Sequence, residues 1–490
     1  MIKIDCEKTY QDLEKLRKRN ASEQEIIEFT WDSIQAYQSG DLYKSAFVAD
    51  KYAKQENVEA VKREKYYRDA LGQLVVNNFV PCHRIRTNYY RILTRQAVQF
   101  LLGNGVSLEN PDDKEKLGAN FDIVVNKAAD AAQTKTVSYI FWNNDHCEVF
   151  TSLEMVPLID EETSSLRAAV RWWELDPTKP LRATLYEEDG CTEYIWRKGK
   201  DGSTQDGEVL KEKRPYKVNE EETDISGTEI TNGQNYPGFP IVPLWANADH
   251  ICPLDGVKGT IDTIDELVNS LNDDLTETQL FWLMRGADYM DGAEKSKFLQ
   301  DLREQKIANP ANGQDVTPYT VSVPYTERQA EINRLENQLY RDFQALNINE
   351  IKSGAVTATQ IKAAYEPLNL KTDEFEMCVT DCLLRLFKLI PGFEDEKPTF
   401  NRSMLINQQE AIQTLEMISS HIPDDYITAK ELTILGDIDK IEEIEKQKQA
   451  DEADRMRLSA ALEAMQNQQN TAKSEQKEPE TEENNKNEMG

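Results

Sequence analysis

Two separated runs of apolar residues share one period and frame the rest of the chain. In Asp255–Arg285, Val257, Ile261, Ile264, Val268, Leu271, Leu275 and Trp282 recur at helical steps, and Thr278 fills the one stripe position that is not apolar. A near-heptad stripe of this kind predicts a single long helix that keeps one narrow face against a partner helix. At 1.5 Å per residue it would span about 46 Å. Tyr325–Leu346 repeats the theme with Ile332, Leu335, Leu339, Phe343 and Leu346. The stretch between them differs in character. It has a short amphipathic run (Phe298, Leu299, Leu302, Ile307), a turn at Asn309-Pro-Ala-Asn-Gly and a strand-like Tyr319–Val323. Two helices with a small α/β insert at the far end predict a hairpin that protrudes from a body. Asp262, Asp265, Glu266, Asp273, Asp274 and Glu277 fall mostly off the stripe and predict an acidic flank.

The remaining pattern predicts an α+β, mostly helical chain. Tyr10, Leu13 and Leu16 start one helix, and Ile26, Ile27, Phe29, Trp31 and Ile34 another, with a break at Ser39-Gly-Asp. Residues 1–75 are expected to be helical, and the basic cluster Lys62, Arg63, Lys65 and Arg68 is expected to be a solvated helix face. Tyr89, Ile92, Ala97, Val98, Leu101 and Leu102 predict a helix that stops at Gly103-Asn-Gly, a helix end and turn. A further helix follows at Phe121–Thr134. From Thr136 the period falls to two: Val137, Tyr139 and Phe141, then Cys147, Val149 and Thr151, predict a hairpin turning at Asn143-Asn-Asp-His. Ala168–Trp173, Ala183–Tyr186 and Glu193–Arg197 add strands. Lys198–Gln234 is polar and acidic, expected to be a mobile loop or loose hairpin, and the run from Tyr236 to Asn247 is extended and proline-rich. Asn347–Thr359 should be a loop. Gln360–Ile390 predicts a third long helix, kinked near Glu366-Pro367. Helices follow to about Ala464, and the aromatic-free tail from Met465 is expected to be disordered.

Composition narrows the function classes. The chain has 490 residues, enough for several parts and a sizeable core. Its net charge of −31 argues against wrapping free nucleic acid, because an acidic surface repels phosphate; it does not exclude DNA passing by without sticking. Met1–Leu16 has no apolar core of a secretory signal, and no apolar run is long enough to span a bilayer, so an intracellular setting or an intracellularly assembled particle is expected, with no membrane partner. Seven scattered cysteines include no Cys-x-x-Cys pair, and Cys378 and Cys382, four apart, are expected to be buried thiols.

Candidate chemistry is absent from the motifs. No phosphate-binding loop, zinc-protease helix or nucleophile elbow occurs, and the four histidines are far apart in sequence. Asp145, His146 and Glu148 are metal-capable types, but no second histidine stands at ligand spacing, so a polar loop tip is expected. No catalytic residue, cofactor or metal site is expected, and the chain is not expected to be an enzyme.

The order of the parts carries a resemblance. Asn88-Tyr-Tyr-Arg-Ile with Leu101-Leu-Gly, Gly238-Phe-Pro-Ile-Val-Pro-Leu-Trp-Ala-Asn, Ile261-Asp-Thr-Ile-Asp-Glu-Leu-Val-Asn, Ser353-Gly354 before the helix at Gln360, Phe400-Asn-Arg, and Ile427-Thr-Ala-Lys-Glu-Leu with Ile438-Asp resemble, in sequence order, the portal proteins of tailed bacteriophages, in the branch of long-tailed phages of Gram-positive hosts. The resemblance covers about residues 20–450. Two departures are the Thr-Ala-Thr-Gln after Val356 and Trp245 before the stem.

The resemblance implies a portal-type ring subunit with wing, two-helix stem, small α/β clip and helical crown. It implies a wing over residues 1–240, the lead-in and first stem helix over 241–286, a clip over 287–324, the second stem helix over 325–346, a tunnel loop over 347–359, a long kinked wing helix over 360–391, a crown over 392–464 and the tail over 465–490. Asn347, Asn349, Glu350, Lys352 and Ser353 would then face DNA, while Val257, Ile261, Ile264, Val268, Leu271, Leu275, Leu335 and Leu339 pack the stem. The implied partners are copies of itself in a ring, typically of about twelve subunits, double-stranded DNA in the channel, terminase, major capsid and scaffolding proteins, and a head-tail connector. The implied location is the capsid vertex of the virion, reached from the host cytoplasm. Two other readings stand beside it: a coiled-coil adaptor or scaffold without a DNA role, and a metal-dependent nuclease built from clustered carboxylates.

Overall fold

The computed structural model describes residues 8–68, 72–78, 80–109, 111–199, 204–223, 229–276, 280–285, 315–320, 324–348, 358–393, 395–402 and 427. The expected tail and most of the expected crown, clip and tunnel loop lie outside these residues.

The chain opens with α1 (Tyr10–Lys18), α2 (Glu23–Ser39), α3 (Asp41–Ala53) and α4 (Val58–Lys62). Ser22 accepts from the Glu25 amide, and the Glu25 carboxylate accepts from the Ser22 amide, so α2 starts on a capping box. Helices do not fill the whole segment to residue 75. The strands β1 (Tyr66–Arg68) and β2 (Leu74–Val76) pair as an antiparallel hairpin, Tyr66 opposite Val76 and Arg68 opposite Leu74. The β-branched Val75 and Val76 and the two tyrosines favour that pleated state.

Next come α5 (Tyr89–Leu102), β3 (Val106–Ser107) and α6 (Phe121–Lys135). The Gly103-Asn-Gly turn ends α5 as the sequence suggests, with Gly105 at φ +76°. A Cβ there would also press on the Asp122 carboxylate, which accepts from the Val106 amide at 3.1 Å.

A β-rich part follows: β4 (Val137–Asn143), β5 (His146–Thr151), β6 (Met155–Ile159), β7 (Leu166–Trp173), β8 (Leu181–Glu187), β9 (Gly190–Lys198), β10 (Thr204–Arg214), β11 (Lys217–Thr223), β12 (Glu229–Gln234) and β13 (Ile241–Trp245). Strands β6 to β10 form one antiparallel sheet in sequence order. Helix α2 covers one face of it through Ile26, Ile27, Phe29 and Ile34. The segment after Lys198 is therefore not a loose loop. It supplies the edge strand β10 and the separate hairpin β11–β12.

The second sheet runs β13-β4-β5. The proline-rich run becomes its edge, where the missing N–H of Pro243 breaks no inner ladder. Alternation along β4 divides two interiors. Ile140 and Trp142 face α6 and the later long helix, while Val137, Tyr139 and Phe141 pack toward β7 and β8.

The stripe of apolar residues that suggested one long helix gives α7 (Lys258–Thr276) and then a strand, β14 (Leu280–Arg285). Trp282 stands opposite Pro318 on β15 (Asp315–Thr320). The continuous helix to Arg285 is thus corrected. Leu280-Phe-Trp-Leu-Met carries apolar residues without interruption, and cross-strand pairing with β15 overrides the helical period. The strand expected at Tyr319–Val323 begins earlier, at Asp315, and includes Tyr319 and Thr320, while residues 321–323 lie outside the described residues. Helix α8 (Tyr325–Asp342) returns beside α7, and α9 (Ala358–Phe387) runs through Pro367. The last strand, β16 (Thr399–Phe400), pairs with β3.

Candidate site: the helical hairpin and the root of its loop

Helix α7 has two working faces. On the apolar face, Val257, Ile261 and Ile264 are buried together with Leu335 and Leu339 of α8, with Ala49 and Tyr52 of α3, and with Tyr90 and Leu93 of α5. Val268 is partly buried against that cluster, and Leu271 is buried. Leu275, near the end of α7, is 58% exposed. The base of the hairpin is therefore built into the body, and only its far end leaves the core.

The polar face is the larger surprise. Asp265, Asn269 and Asp273 are each at most 2% exposed. They bind an extended strip of main chain. The Thr87 amide donates to Asp265 Oδ1 at 2.9 Å, the Ile85 amide to Asn269 Oδ1 at 2.6 Å and the His83 amide to Asp273 Oδ1 at 2.8 Å. Asn269 Nδ2 donates back to the Ile85 carbonyl at 2.8 Å. The match is metrical. Four helical residues advance about 6 Å, and two extended residues advance about 6.6 Å.

Arg63 and Lys65 close the far end of this ladder. Arg63 donates to Asp273 Oδ2 at 2.6 Å and to Glu266 at 2.9 Å, and Lys65 Nζ lies 3.2 Å from Asp273. The expected solvated basic face is corrected in part: Lys62 and Arg68 are exposed, but the Arg63 side chain is 11% exposed and, with Lys65, clamps α7. The acidic flank of α7 is corrected with it. Asp265 and Asp273 are buried receptors for the 83–87 strip, Asp262 bonds the Tyr52 hydroxyl and Lys258, and Asp274 pairs with Arg328 at 2.5 Å. Glu277 lies outside the described residues.

Electrostatics differ along the ladder. Burial raises the Asp265 carboxyl, against which the Asn57 and Thr87 hydrogen bonds work without prevailing. Burial also acts on Asp273, but the His83 amide, Arg63, the His83 ring and Lys65 outweigh it and hold its carboxyl at about 2.

The chain leaving α8 starts from a fixed point. Gln96 of α5 donates to the Leu346 carbonyl at 3.0 Å and accepts from the Leu346 amide at 2.9 Å. Asn347 is buried, and its Nδ2 donates to Asn337 Oδ1 at 2.9 Å. Leu346 packs in one cluster with Ala97 and Phe100 of α5 and with Tyr365 and Leu368 of α9, so the end of α8 and the early turns of α9 share one apolar patch. Asn349, Glu350, Lys352 and Ser353 lie outside the described residues. One turn further along α9, Lys371 donates to the Phe343 carbonyl at 3.0 Å and lies over the Phe343 ring. Burial pushes its ammonium down to about 7, against the opposing pull of Glu374.

Asn57, Gln96, Asn269 and Lys371 did not stand out in the sequence. One signal existed: Asp265, Asn269 and Asp273 repeat at four residues on a single helix face, which marks a polar stripe that can be buried if it finds partners. Elsewhere, His146 contacts Asp145 at 2.7 Å on an exposed tip, and among the described residues no group of three or more side chains is placed to hold a metal. Burial raises the Cys378 thiol to about 11 and Cys382 further. Among the described residues no helix is long and apolar enough to cross a membrane.

Comparison with known proteins adds what geometry alone leaves open. The chain is 23% identical over 395 residues to the portal protein of Bacillus phage SPP1, covering 74% of each. A chain from the virion of a native gene transfer agent particle matches with a TM-score of 0.37 and 11% identity, over 71% of this chain and 89% of that one. An HK97 family phage portal protein from Corynebacterium diphtheriae gives 0.26 and 9%, over 48% and 76%. Superpositions this loose carry no weight here. The family model described as "Phage portal protein, SPP1 Gp6-like" matches residues 50–454, which spans α3 through the whole helical hairpin and beyond α9, and on that match the chain belongs to the SPP1-like phage portal protein family.

Proposed function

We propose that this chain is one subunit of a ring whose central channel passes double-stranded DNA into and out of a phage capsid at a single vertex. In this reading α7 and α8 are the stem, the insert between them is the clip, and residues 347–357 are the tunnel loop. The β-rich body with α9 is the wing, and the residues after 391 include the crown. Terminase would dock on the clip during packaging and a head-tail connector later, with capsid and scaffolding proteins around the wing. The location would be the virion, after assembly in the host cytoplasm.

One observation supports the reading most directly. The chain leaves α8 from Leu346, which Gln96 grips and which packs against both α5 and α9 at the base of a two-helix hairpin. A segment that departs from so firm a support can face a passing duplex and be displaced without unravelling that support. The net charge of −31 supports a wall that DNA slides past, because an acidic surface repels phosphate. The acids of α7 that hold the 83–87 strip do not contribute to that wall.

Portal proteins are structural and non-enzymatic. Negative-stain electron microscopy of the purified full chain tests the proposal. Rings with a central channel are the expected result, whereas dimers or trimers by light scattering, without rings at high concentration, favour the adaptor reading. No Mg²⁺- or Mn²⁺-dependent DNA cleavage is expected.

A further inference from the structure

The hairpin β1–β2 is the exposed feature that the family reading leaves unexplained. Tyr66, Tyr67, Leu74, Val75 and Val76 are all exposed, Leu74 by 64%. Opposed pairs share a face, so Tyr66, Val76 and Leu74 lie on one side with Arg68, and Tyr67 and Val75 on the other. Both faces are thus apolar and uncovered. A lone two-stranded hairpin is marginal in water, and an apolar patch on a soluble surface marks an interface. Its base is fixed: the Asn77 amide donates to the Lys65 carbonyl at 2.7 Å, and Lys65 and Arg63 are held by Asp273. The hairpin is therefore a supported arm.

Its charge indicates what covers it. Lys62 and Arg68 are exposed at the hairpin in a chain whose net charge is −31, whereas Arg63 and Lys65 are already engaged by Asp273. A stripe on α9 complements it. Along the outer face of α9, Glu366, Leu370, Asp373, Met377 and Asp381 are all exposed, alternating acid and apolar at helical spacing. Leu370 and Met377 are 56% and 67% exposed. Arg385 and Arg402 reach Asp381 and Asp373, yet both carboxylates keep more than half of their side-chain surface.

We propose that the β1–β2 hairpin of one subunit docks on the outer stripe of α9 in a second copy of the chain. The two patches differ, so the contact is head-to-tail, the type that closes a ring when the rotation between copies divides a full turn. The inference rests on the ring reading and adds the surfaces that make it. Tyr66 and Leu74 would meet Leu370 and Met377, and Arg68 on the same face, with Lys62, would face Glu366, Asp373 and Asp381. Aliphatic and aromatic residues on both faces favour a protein surface over a nucleic acid, which would be met by cations and stacking alone.

The test uses the full chain with a photoreactive phenylalanine at Tyr66, on the same face as Leu74, assembled from a mixture of ¹⁵N-labelled and unlabelled protein. Mixed-isotope crosslinks onto residues 362–381 are the expected result. Leu74→Asp should weaken association at least tenfold by light scattering, with an unchanged circular dichroism spectrum, and Leu370→Asp should do the same. Rings that assemble but crosslink elsewhere overturn the docking and leave the ring reading intact. Crosslinks within one copy, including to residues 404–490, or to added DNA, overturn it likewise. If no rings form with the unmodified protein, the ring reading itself fails and takes the docking with it.

Discussion

Asn269 reads both main-chain groups of Ile85, accepting from its amide at 2.6 Å and donating to its carbonyl at 2.8 Å. The side-chain amide does what a neighbouring β-strand would do. Asn269 is fully buried, so each bond lost leaves a desolvated partner. Asn269→Ala should destabilise the chain by about 2–4 kcal/mol, measured by denaturant unfolding. Asn269→Asp should cost as much, because a carboxylate cannot donate to the Ile85 carbonyl. An unchanged midpoint in both variants would show that the strip 83–87 is held by other means.

Asp273 ties the same strip to Arg63 and Lys65, and its carboxyl sits at about 2. In the unfolded chain it returns to its ordinary value of 3.8. The folded value is the lower, so its contribution is complete above pH 4 and is lost as the pH falls through 4 toward 2. The loss amounts to roughly 2 kcal/mol at most. Asp273→Asn should remove that part of the acid sensitivity while lowering stability at pH 7, seen by comparing melting temperatures at pH 7, 4 and 3.

Lys371 shows the opposite displacement. Its folded value, about 7, lies below the 10.5 of an exposed lysine. Between these values the unfolded chain holds a proton that the folded chain has released. Stability from this group therefore rises with pH from 7 to 10, by up to about 1.4 kcal/mol per pH unit. Lys371→Met should flatten the slope over that range. A variant with the slope of the parent would show the ammonium to be hydrated.

Gln96 holds Leu346 by the same two-bond device that Asn269 applies to Ile85. Gln96→Ala should loosen the start of the loop at 347–357 without touching its far end. Limited proteolysis is expected to cut there about tenfold faster, since a ~1.4 kcal/mol loss changes an opening equilibrium by ten. Cleavage at the rate of the parent would show that Asn347 and the apolar patch suffice.

Pro367 interrupts the hydrogen-bond ladder of α9 between Tyr365 and Leu368, two members of the patch that receives the loop. Pro367→Ala restores one main-chain donor and should raise the melting temperature. If DNA packaging falls while stability rises, the proline is retained for bending. Unchanged packaging and an unchanged loop position count against a hinge.

Periodicity determined much of this molecule before any coordinates. The stripe Val257, Ile261, Ile264 and Val268 needed a helix with one buried face, and the period-two run from Val137 needed a strand, because side-chain direction follows the backbone repeat. The order of parts with weak motifs sufficed to name the family, which the match over residues 50–454 establishes. Tertiary structure decided what the polar residues do. Asp265, Asn269 and Asp273 have the composition of a solvated helix flank, and nothing local distinguishes them from Glu266. Their burial depends on residues 83–87, about 180 positions away in sequence, arriving extended and at matching rise. The same holds for the end of α7: Leu280–Arg285 continues an apolar stripe, and only the arrival of Asp315–Thr320 as a strand partner makes it β. Local pattern fixes which face is apolar, whereas long-range hydrogen bonding selects among the states that the pattern allows.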